Sequence, residues 1–346
     1  MSVLRLRRHV LALVAALLSA WAIAGAATAQ DRPLPKGRAF VMKLAVATLN
    51  DAQHEWLKRY GAGMESKSGG RIRVEIYPGG QLGTIPRMIE GTQLGSIQVL
   101  VAPPEFFVGL DQRFELLSAS GLFDGEPHTA RMLADAEFTR AFLAIGAGKG
   151  LVGLNLFHGA PAAFAMRQPF RAIADLQGRK IRILASPFQI AQMARLGATG
   201  VPMSLGDVLP ALQQGAIDGA QGSVGIFAAL RYYETARYMN ETGHAFTFSM
   251  AVMSRRWFDT LPADLQALSL AAAAEVGAEI TPWGADFLAR ERKLWVEKGG
   301  ELDTLPPGDR AEMMARVRTV GDDIVKTKPE LAPMWDIVRA AAKRAM

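Results

Sequence analysis

Short β-rich runs alternate with helix-like stretches early in the chain, and this alternation restricts the fold more than any other feature. Phe40–Leu49 is apolar and β-rich, and Arg71–Tyr77 alternates apolar with charged residues, so both are predicted strands. Asp51–Ser68 and Ile85–Leu94 are predicted helices, and Ile97–Ala102 is a third buried strand. This β-α-β-α-β order predicts a mostly parallel sheet with helices on both faces.

The pattern recurs further along the chain. Leu151–Phe157, Ala163–Met166 and Lys180–Leu184 are predicted strands, and the last of them opens into a helix. Ser204–Asp207 has the pattern of a capping box for a helix over Asp207–Gln214. The second half of the chain is therefore also expected to form an α/β unit.

The two α/β units define the predicted domain organisation. Lobe I is expected over residues 30–155 and lobe II over residues 156–245. After the apolar run Phe246–Val252, residues 246–346 are mostly helical. The predicted fold class is thus α/β, with two lobes and a helical C-terminal part that packs on both.

Residues 1–29 have the features of a cleavable signal peptide. Three arginines in the first eight residues precede an apolar run over Val10–Ala24, and Ala27-Thr28-Ala29 supplies the small residues of a cleavage site. The mature protein is then expected to begin at Gln30 and to reside in a bacterial periplasm. The alternative is an uncleaved membrane anchor, because the apolar run approaches the length that spans a bilayer.

Composition excludes several classes of protein. Half of the residues are hydrophobic, 21% are charged and none is cysteine, which excludes intrinsic disorder, disulfide scaffolds, thiol catalysis and zinc–thiolate sites. The formal net charge is +6, and removal of residues 1–29 with their three arginines lowers it to +3. Because Lys and Arg are scattered among Asp and Glu, no nucleic-acid partner is expected.

Enzyme motifs appear only as incomplete matches. The glycines of Gly148–Gly153 have dinucleotide-fingerprint spacing but precede a strand instead of joining a strand to a helix. Gly222–Gly225 is not a nucleophile elbow, because Gln221 occupies the position of its first glycine. The histidines lack metal-ligand spacing. We therefore expect no enzyme activity, no metal and no cofactor.

Five short motifs, taken together, resemble one protein family. They are Tyr77–Gly83 (YPGGQLG), Asp175–Arg182 (DLQGRKIR), Pro202–Ser204 (PMS), Ala211–Gly219 (ALQQGAIDG) and Leu261–Gln266 (LPADLQ). In this order and spacing the chain resembles the periplasmic solute receptors of TRAP (tripartite ATP-independent) transporters, of the dicarboxylate-receptor (DctP) type. The resemblance covers essentially the whole mature chain.

The resemblance implies a fold and a function. The fold would be a type II-like periplasmic binding protein, in which two lobes, joined by crossing strands and a long helix, close around a cleft. The function would be capture of a small organic acid and its delivery to TRAP membrane permease subunits, with the receptor a monomer. Two alternatives are a secreted hydrolase and a binding lobe that serves a signalling partner.

Arg182 is the main candidate for the ligand-binding site. The resemblance places it where the family has an arginine that binds the ligand carboxylate. A guanidinium group suits this role, because its flat pair of donors matches a carboxylate and it stays charged at physiological pH. The alternative is an exposed strand arginine in a surface ion pair.

Other positions are carried over from the family with specific alternatives. Asn50 follows the first strand, where it is either a residue that contacts the ligand or an ordinary turn residue. Gln168 aligns with a site that is sometimes a second arginine, and either it or its neighbour Arg167 faces the cleft. Ser186 follows the Arg182 strand and contacts ligand, or caps the next helix.

The remaining candidates are Phe107, Leu205 and Gln221. Phe107 and Leu205 line the pocket or belong to the core. Gln221-Gly222 stands where family members have a Glu-Asn pair that makes polar contacts.

Departures from the family pattern affect the expected ligand. Pro103 lies where sugar-acid receptors have an acidic residue, and Thr84–Pro86 replaces the usual acidic residues after the Gln-Leu-Gly motif. Since a polyhydroxylated ligand needs many hydrogen-bonding partners, these losses predict a less polar organic acid. Such an acid would be a keto- or hydroxy-acid, or an aromatic or aliphatic carboxylate.

Overall fold

The computed structural model describes residues 39–346, which pack into one compact unit. The predicted signal peptide, residues 1–29, lies outside the described residues. Among residues 39–346, no helix combines the length and the apolar character that crossing a lipid bilayer requires.

The described chain contains nine β-strands that join in a single sheet. In chain order they are β1 (Phe40–Val46), β2 (Ile72–Tyr77), β3 (Val99–Ala102), β4 (Leu151–Met166), β5 (Lys180–Ile183), β6 (Thr199–Pro202), β7 (Gly219–Gly222), β8 (Tyr238–Ser254) and β9 (Glu301–Asp303). Their spatial order is β2-β1-β3-β8-β4-β7-β5-β6, and β9 pairs with β8.

Twelve α-helices connect and cover these strands in the described part of the chain. They are α1 (Ala52–Lys67), α2 (Ile85–Leu94), α3 (Glu126–Leu133), α4 (Ala136–Leu143), α5 (Pro187–Arg195), α6 (Leu205–Gln214), α7 (Val224–Ala229), α8 (Arg255–Phe258), α9 (Ala263–Glu297), α10 (Pro307–Val317), α11 (Val320–Thr327) and α12 (Ala332–Arg344). Short 3₁₀ turns add local connections, among them Pro104–Phe107 and Gln112–Ser118.

Two groups of parallel strands flank a central antiparallel pair. The first half of the sheet consists of β1, β2 and β3, and the second half consists of β5 and its parallel neighbours β6 and β7. Between them lie β4 and β8, the two longest strands, which run antiparallel to each other with register shifts at three points. These are the crossing strands that the family resemblance implies.

Hydrophobic clusters lie on both faces of each half. In the first half, one cluster packs under α1 and the start of α9, and the other packs under α3, α4 and α12. In the second half, one cluster lies under α6, α7 and the end of α9, and the other under α5 and α10. The 35-residue helix α9 therefore contributes to the cores of both halves.

Several predicted boundaries differ from the structure. The predicted strands Leu151–Phe157 and Ala163–Met166 are one continuous strand, β4, because the chain between them keeps pairing with β8 despite the register shifts. The predicted boundary between residues 155 and 156 consequently falls inside β4. Helix α6 begins at Leu205, two residues before the predicted start, and the Ser204 side chain makes no capping hydrogen bond.

Candidate ligand-binding site

A cavity lies where the parallel strands of both halves end. It has about 660 Å³ of space not filled by atoms, its open mouth included. Its lining residues come from segments that follow β1, β3 and β6, from the ends of β5 and β7, and from β8, α1, α2, α7 and α9. They are Thr48, Asp51, Ala52, Gln53, Ile85, Pro103, Phe106, Arg182, Leu184, Leu205, Gly222, Ser223, Gly225, Ile226, Thr247, Phe248, Ser249 and Phe287. The carboxyl ends of parallel strands are the usual location of ligands in such sheets.

Arg182 reaches the cavity because of its place in β5. Ile181 and Ile183 point to one face of the strand and join the hydrophobic cluster of the second half, so the residue between them points to the other face. Its Nε donates to the Met203 carbonyl oxygen at 3.1 Å, and its Nη1 lies 3.5 Å from the carbonyl oxygen of Gln221. These two carbonyls, from either side of β5, fix the direction of the guanidinium.

The charge of Arg182 is buried without a neutralising partner. The residue is 4% exposed, and among the described residues no carboxylate forms an ion pair with it. Burial lowers the pKa of Arg182 to about 10, while Tyr232 and Glu105 oppose this shift electrostatically. The group remains protonated at neutral pH. A buried cation that lines a cavity and forms no ion pair with a carboxylate can bind an anionic ligand.

Asp51 lies in the first half of the sheet and contributes an acid to the same cavity. It is the N-cap of α1: its Oδ1 accepts hydrogen bonds from the backbone N–H of His54 at 3.0 Å and from the Thr48 hydroxyl at 2.8 Å. The residue is 2% exposed, and burial raises its pKa to about 6. An N-cap acid with this pKa is largely ionised above pH 7.

Three neutral polar side chains complete the polar part of the lining. Gln53, Ser223 and Ser249 are each more than 90% buried and, within residues 39–346, their side chains form no hydrogen bond. Buried amides and hydroxyls are usually hydrogen-bonded, to protein, water or ligand. These groups can therefore serve as partners for the polar groups of a bound molecule.

Two further predicted residues lie at the site. Leu205 lines the cavity at the first turn of α6. Gln221, in β7, does not line it with its side chain, whose Nε2 lies 3.5 Å from Nε2 of His244, but its carbonyl oxygen helps to hold Arg182. Gln221 thus positions the arginine, and the adjacent Gly222 lines the cavity.

Asn50 and Phe107 lie one residue from positions that line the cavity. Asn50 is exposed and has a φ of 56°, a left-handed conformation that asparagine tolerates well, so the structure supports the turn interpretation. Phe107 is fully buried in the core beside Phe114, with ring centroids 5.5 Å apart. Asp51 and Phe106, their neighbours, line the cavity instead.

Arg167, Gln168 and Ser186 do not line the cavity either. Arg167 and Gln168 are exposed, because they follow the end of β4 and turn away from the sheet, and the guanidinium of Arg167 lies near Gly215. Ser186 is fully buried and is the N-cap of α5. Its hydroxyl also lies 3.3 Å from Oε2 of Glu115, so it connects α5 to the Gln112–Ser118 turn.

The family model of bacterial extracellular solute-binding proteins, family 7 (DctP), matches residues 45–328. This chain belongs to that family. Among its relatives, the 2,3-diketo-L-gulonate-binding periplasmic protein YiaO of Escherichia coli is 28% identical over 66% of this chain and 69% of that protein. The C4-dicarboxylate-binding periplasmic protein DctP of Vibrio cholerae is 24% identical over 72% of this chain and 75% of its own.

Solved structures of TRAP periplasmic solute-binding proteins have the same fold. The protein from Desulfovibrio salexigens, with bound orotic acid, is 19% identical and superposes with a TM-score of 0.84 over 89% of this chain and 100% of its own. The Shewanella oneidensis protein, with bound succinate, is 22% identical, with a TM-score of 0.82 over 88% and 99% of the two chains. The predicted two-lobe α/β fold and the predicted TRAP receptor family are confirmed.

For this DctP-family receptor, the sequence pattern did not indicate all of the polar lining. Asp51 has a usable signal, because an acid at the start of a predicted helix is a typical N-cap. Gln53 and Ser249 have no such signal, because they lie inside a regular helix and a crossing strand. Ser223 also has no such signal, because the short strand before it lacks an apolar pattern.

Proposed function

We propose that the protein binds a small organic acid in this cavity, with the carboxylate of the ligand at Arg182, and delivers it to the membrane permease subunits of a TRAP transporter. The receptor acts in the periplasm, and the signal-peptide features of residues 1–29 support export. Permease delivery is supported by the family and by the TRAP receptors with the same fold.

The observation that carries the proposal is the buried, unpaired guanidinium of Arg182. Leaving a charge buried without a partner costs several kcal/mol, and an incoming carboxylate removes much of that cost. Two carbonyl oxygens already orient the group, so little side-chain entropy is lost when the ligand binds. A carboxylate can then accept two parallel hydrogen bonds from the guanidinium.

The geometry also supports closure of the two lobes around the ligand. Asp51 and Gln53 come from one end of the sheet, whereas Arg182 and Ser223 come from the other. A ligand that contacts both sets binds best when the halves are together, which shifts the equilibrium to the closed form. We assign lobe I to residues 30–155, lobe II to residues 156–245, and the segment that packs on both to residues 246–346. The hinge would lie in β4, β8 and α9.

The test is a thermal-shift screen of small carboxylates on the mature protein, followed by calorimetry on each hit. Arg182→Lys keeps the charge but loses the flat pair of donors, and Arg182→Ala removes both. For the lysine variant we expect Kd to rise on the order of tenfold or more. For the alanine variant we expect the binding free energy to become less favourable by roughly 2–5 kcal/mol.

Arg167→Lys is the matched control, because Arg167 is an exposed arginine outside the cavity. It should bind as the wild type does. The thermal stability of each variant without ligand shows whether it is folded. The proposal is wrong if no carboxylate stabilises the wild type, or if the folded Arg182 variants bind with unchanged affinity.

A further inference from the structure

The charged residues that line the cavity favour a ligand with one carboxylate over a ligand with two. Among the described residues that line it, Arg182 is the one cation and Asp51 is the one acid. One ligand carboxylate neutralises Arg182, and Asp51 then leaves a net negative charge in the occupied cavity. A second carboxylate would meet no cation there and would be repelled by Asp51.

Asp51 is placed to accept hydrogen bonds from a ligand. The hydrogen bonds from Thr48 and from the N–H of His54 both end on Oδ1, and the carboxylate also accepts from the backbone N–H groups of Gln53 and of Asp51 itself. Within the described chain no Lys, Arg or His forms an ion pair with this carboxylate. A buried acid in this state favours a neighbouring O–H or N–H group over another acceptor.

The uncharged polar groups of the cavity favour the same kind of ligand. Gln53, Ser223 and Ser249 are buried and line the cavity, and their side chains form no hydrogen bond within residues 39–346. A hydroxyl group can donate to one of them and accept from another. An aliphatic acid without hydroxyls would leave these three side chains without partners, unless water molecules bind to them, and would therefore bind more weakly.

We infer that the ligand is a hydroxylated monocarboxylate, with its carboxylate at Arg182 and a hydroxyl group at Asp51, and that Asp51 excludes dicarboxylates. The inference rests on the proposed function, which assigns the carboxylate to Arg182. Of the acids that the missing family residues predict, it keeps the hydroxy-acids and disfavours the acids without hydroxyls, because other positions supply the polar groups of this cavity. It also separates this receptor from its structural neighbour with bound succinate.

The test compares acids that differ only at the far end of the molecule. Galactonate and galactarate share one carbon skeleton, as do 4-hydroxybutanoate and succinate, and in each pair the first is a monocarboxylate. Affinities are measured by calorimetry on the mature protein at pH 8, where Asp51 is ionised. We expect each hydroxy monocarboxylate to bind at least about tenfold more tightly than its dicarboxylate partner.

Asp51→Asn identifies the source of this discrimination. Asparagine is also a good N-cap, so the variant keeps the start of α1 while it loses the negative charge. We expect the ratio of the two affinities to fall on the order of tenfold, mainly because the dicarboxylate binds better. Asp135→Asn is the matched control, since Asp135 is the N-cap of α4 and lies outside the cavity.

The possible results separate this inference from the proposed function. If dicarboxylates bind the wild type as tightly as their partners, or if Asp51→Asn keeps the full discrimination, the inference is wrong although the carboxylate site stands. If none of the four acids, nor any hit of the carboxylate screen, binds in an Arg182-dependent way, the proposed function is wrong and the inference is wrong with it.

Discussion

Glu105 is a fully buried acid whose charge affects the arginine of the cavity. Its Oε1 accepts a hydrogen bond from the Ser118 hydroxyl at 2.7 Å, and its Oε2 has no hydrogen-bond partner in the described part of the chain. Burial raises the pKa of Glu105 to about 7, and the charge of Glu115 adds to the increase. Near neutral pH, the folded protein therefore holds a proton here that an unfolded chain would release.

Glu105 should make the folded state less stable as the pH rises. Its pKa is higher in the folded protein than the ordinary value of 4.5, so its contribution to the free energy of unfolding is most favourable below pH 4.5 and falls until about pH 7. We expect Glu105→Gln, which imitates the protonated acid, to be more stable than the wild type by about 1–3 kcal/mol at pH 8 and equal to it at pH 4.5.

Urea unfolding at both pH values measures this difference. Glu297→Gln, at an exposed position near the end of α9, is the control and should show no such pH dependence. Equal stability of Glu105→Gln and the wild type at pH 8 would contradict the assigned ionisation of Glu105.

At the scale of helices and strands, Arg292 connects three elements of the fold. From α9, its guanidinium binds both carboxylate oxygens of Glu241 in β8, at 2.7 and 3.1 Å, and Glu126 in α3 at 2.7 Å. The group is partly buried, and its two acids raise its pKa against the effect of burial. A bidentate, partly buried arrangement of this kind is stronger than an isolated surface ion pair.

We expect Arg292→Met to lower the free energy of unfolding by roughly 1–3 kcal/mol, because it leaves two partly buried carboxylates without their cation. The measurement is chemical denaturation at neutral pH. Lys293→Met changes the next residue of α9, which is exposed and forms no ion pair in the described structure, so it should be nearly neutral. A similar effect of both substitutions would show that only helix propensity or net charge matters.

The elements differed in how well the sequence predicts them. Helix α2 has the predicted bounds, because Pro86 lies at its start and a left-handed Gly95 ends it. By contrast, β6 and β7 have the sequences TGVP and GAQG, which have no apolar alternation. They are strands because β5 pairs with both of them, and such tertiary pairing is not visible in local sequence.

Sequence-based prediction has the same limit for the individual side chains of the candidate site. The strand pattern around Arg182 and the family resemblance together locate this residue correctly in the cavity. Asn50 and Phe107 lie beside the cavity, and it is their neighbours Asp51 and Phe106 that line it. Outside regular strands and helices, neighbouring side chains point in directions set by the local backbone dihedral angles, and those angles depend on packing.

At the scale of the whole molecule, the cavity is enclosed between the halves of the sheet. Asp51, Arg182, Ser223 and Ser249, which a ligand would contact, are each at most 4% exposed. A molecule the size of a sugar acid cannot reach them unless the halves move apart. Pro282, inside α9, lies between the residues that pack on the first half and those that pack on the second, which favours bending there.

We expect the ligand-free protein in solution to be more extended than its complex. Small-angle X-ray scattering should give a smaller radius of gyration at saturating ligand than without it, because the ligand contacts both halves only when they are closed. Arg182→Ala at the same ligand concentration should keep the larger value. An unchanged radius of gyration in the saturated wild type would contradict closure by a hinge.

The shared sheet also affects how the chain can fold. The first half pairs β3 with β8, and α12 completes one of its hydrophobic clusters, so it needs residues that are synthesised after the entire second half. The second half in turn depends on β4, which is also paired with β8. Neither half is an uninterrupted stretch of polypeptide. An emerging chain therefore cannot complete the first half before the second, and a truncated product that ends before β8 would expose unpaired strand edges and be prone to aggregation.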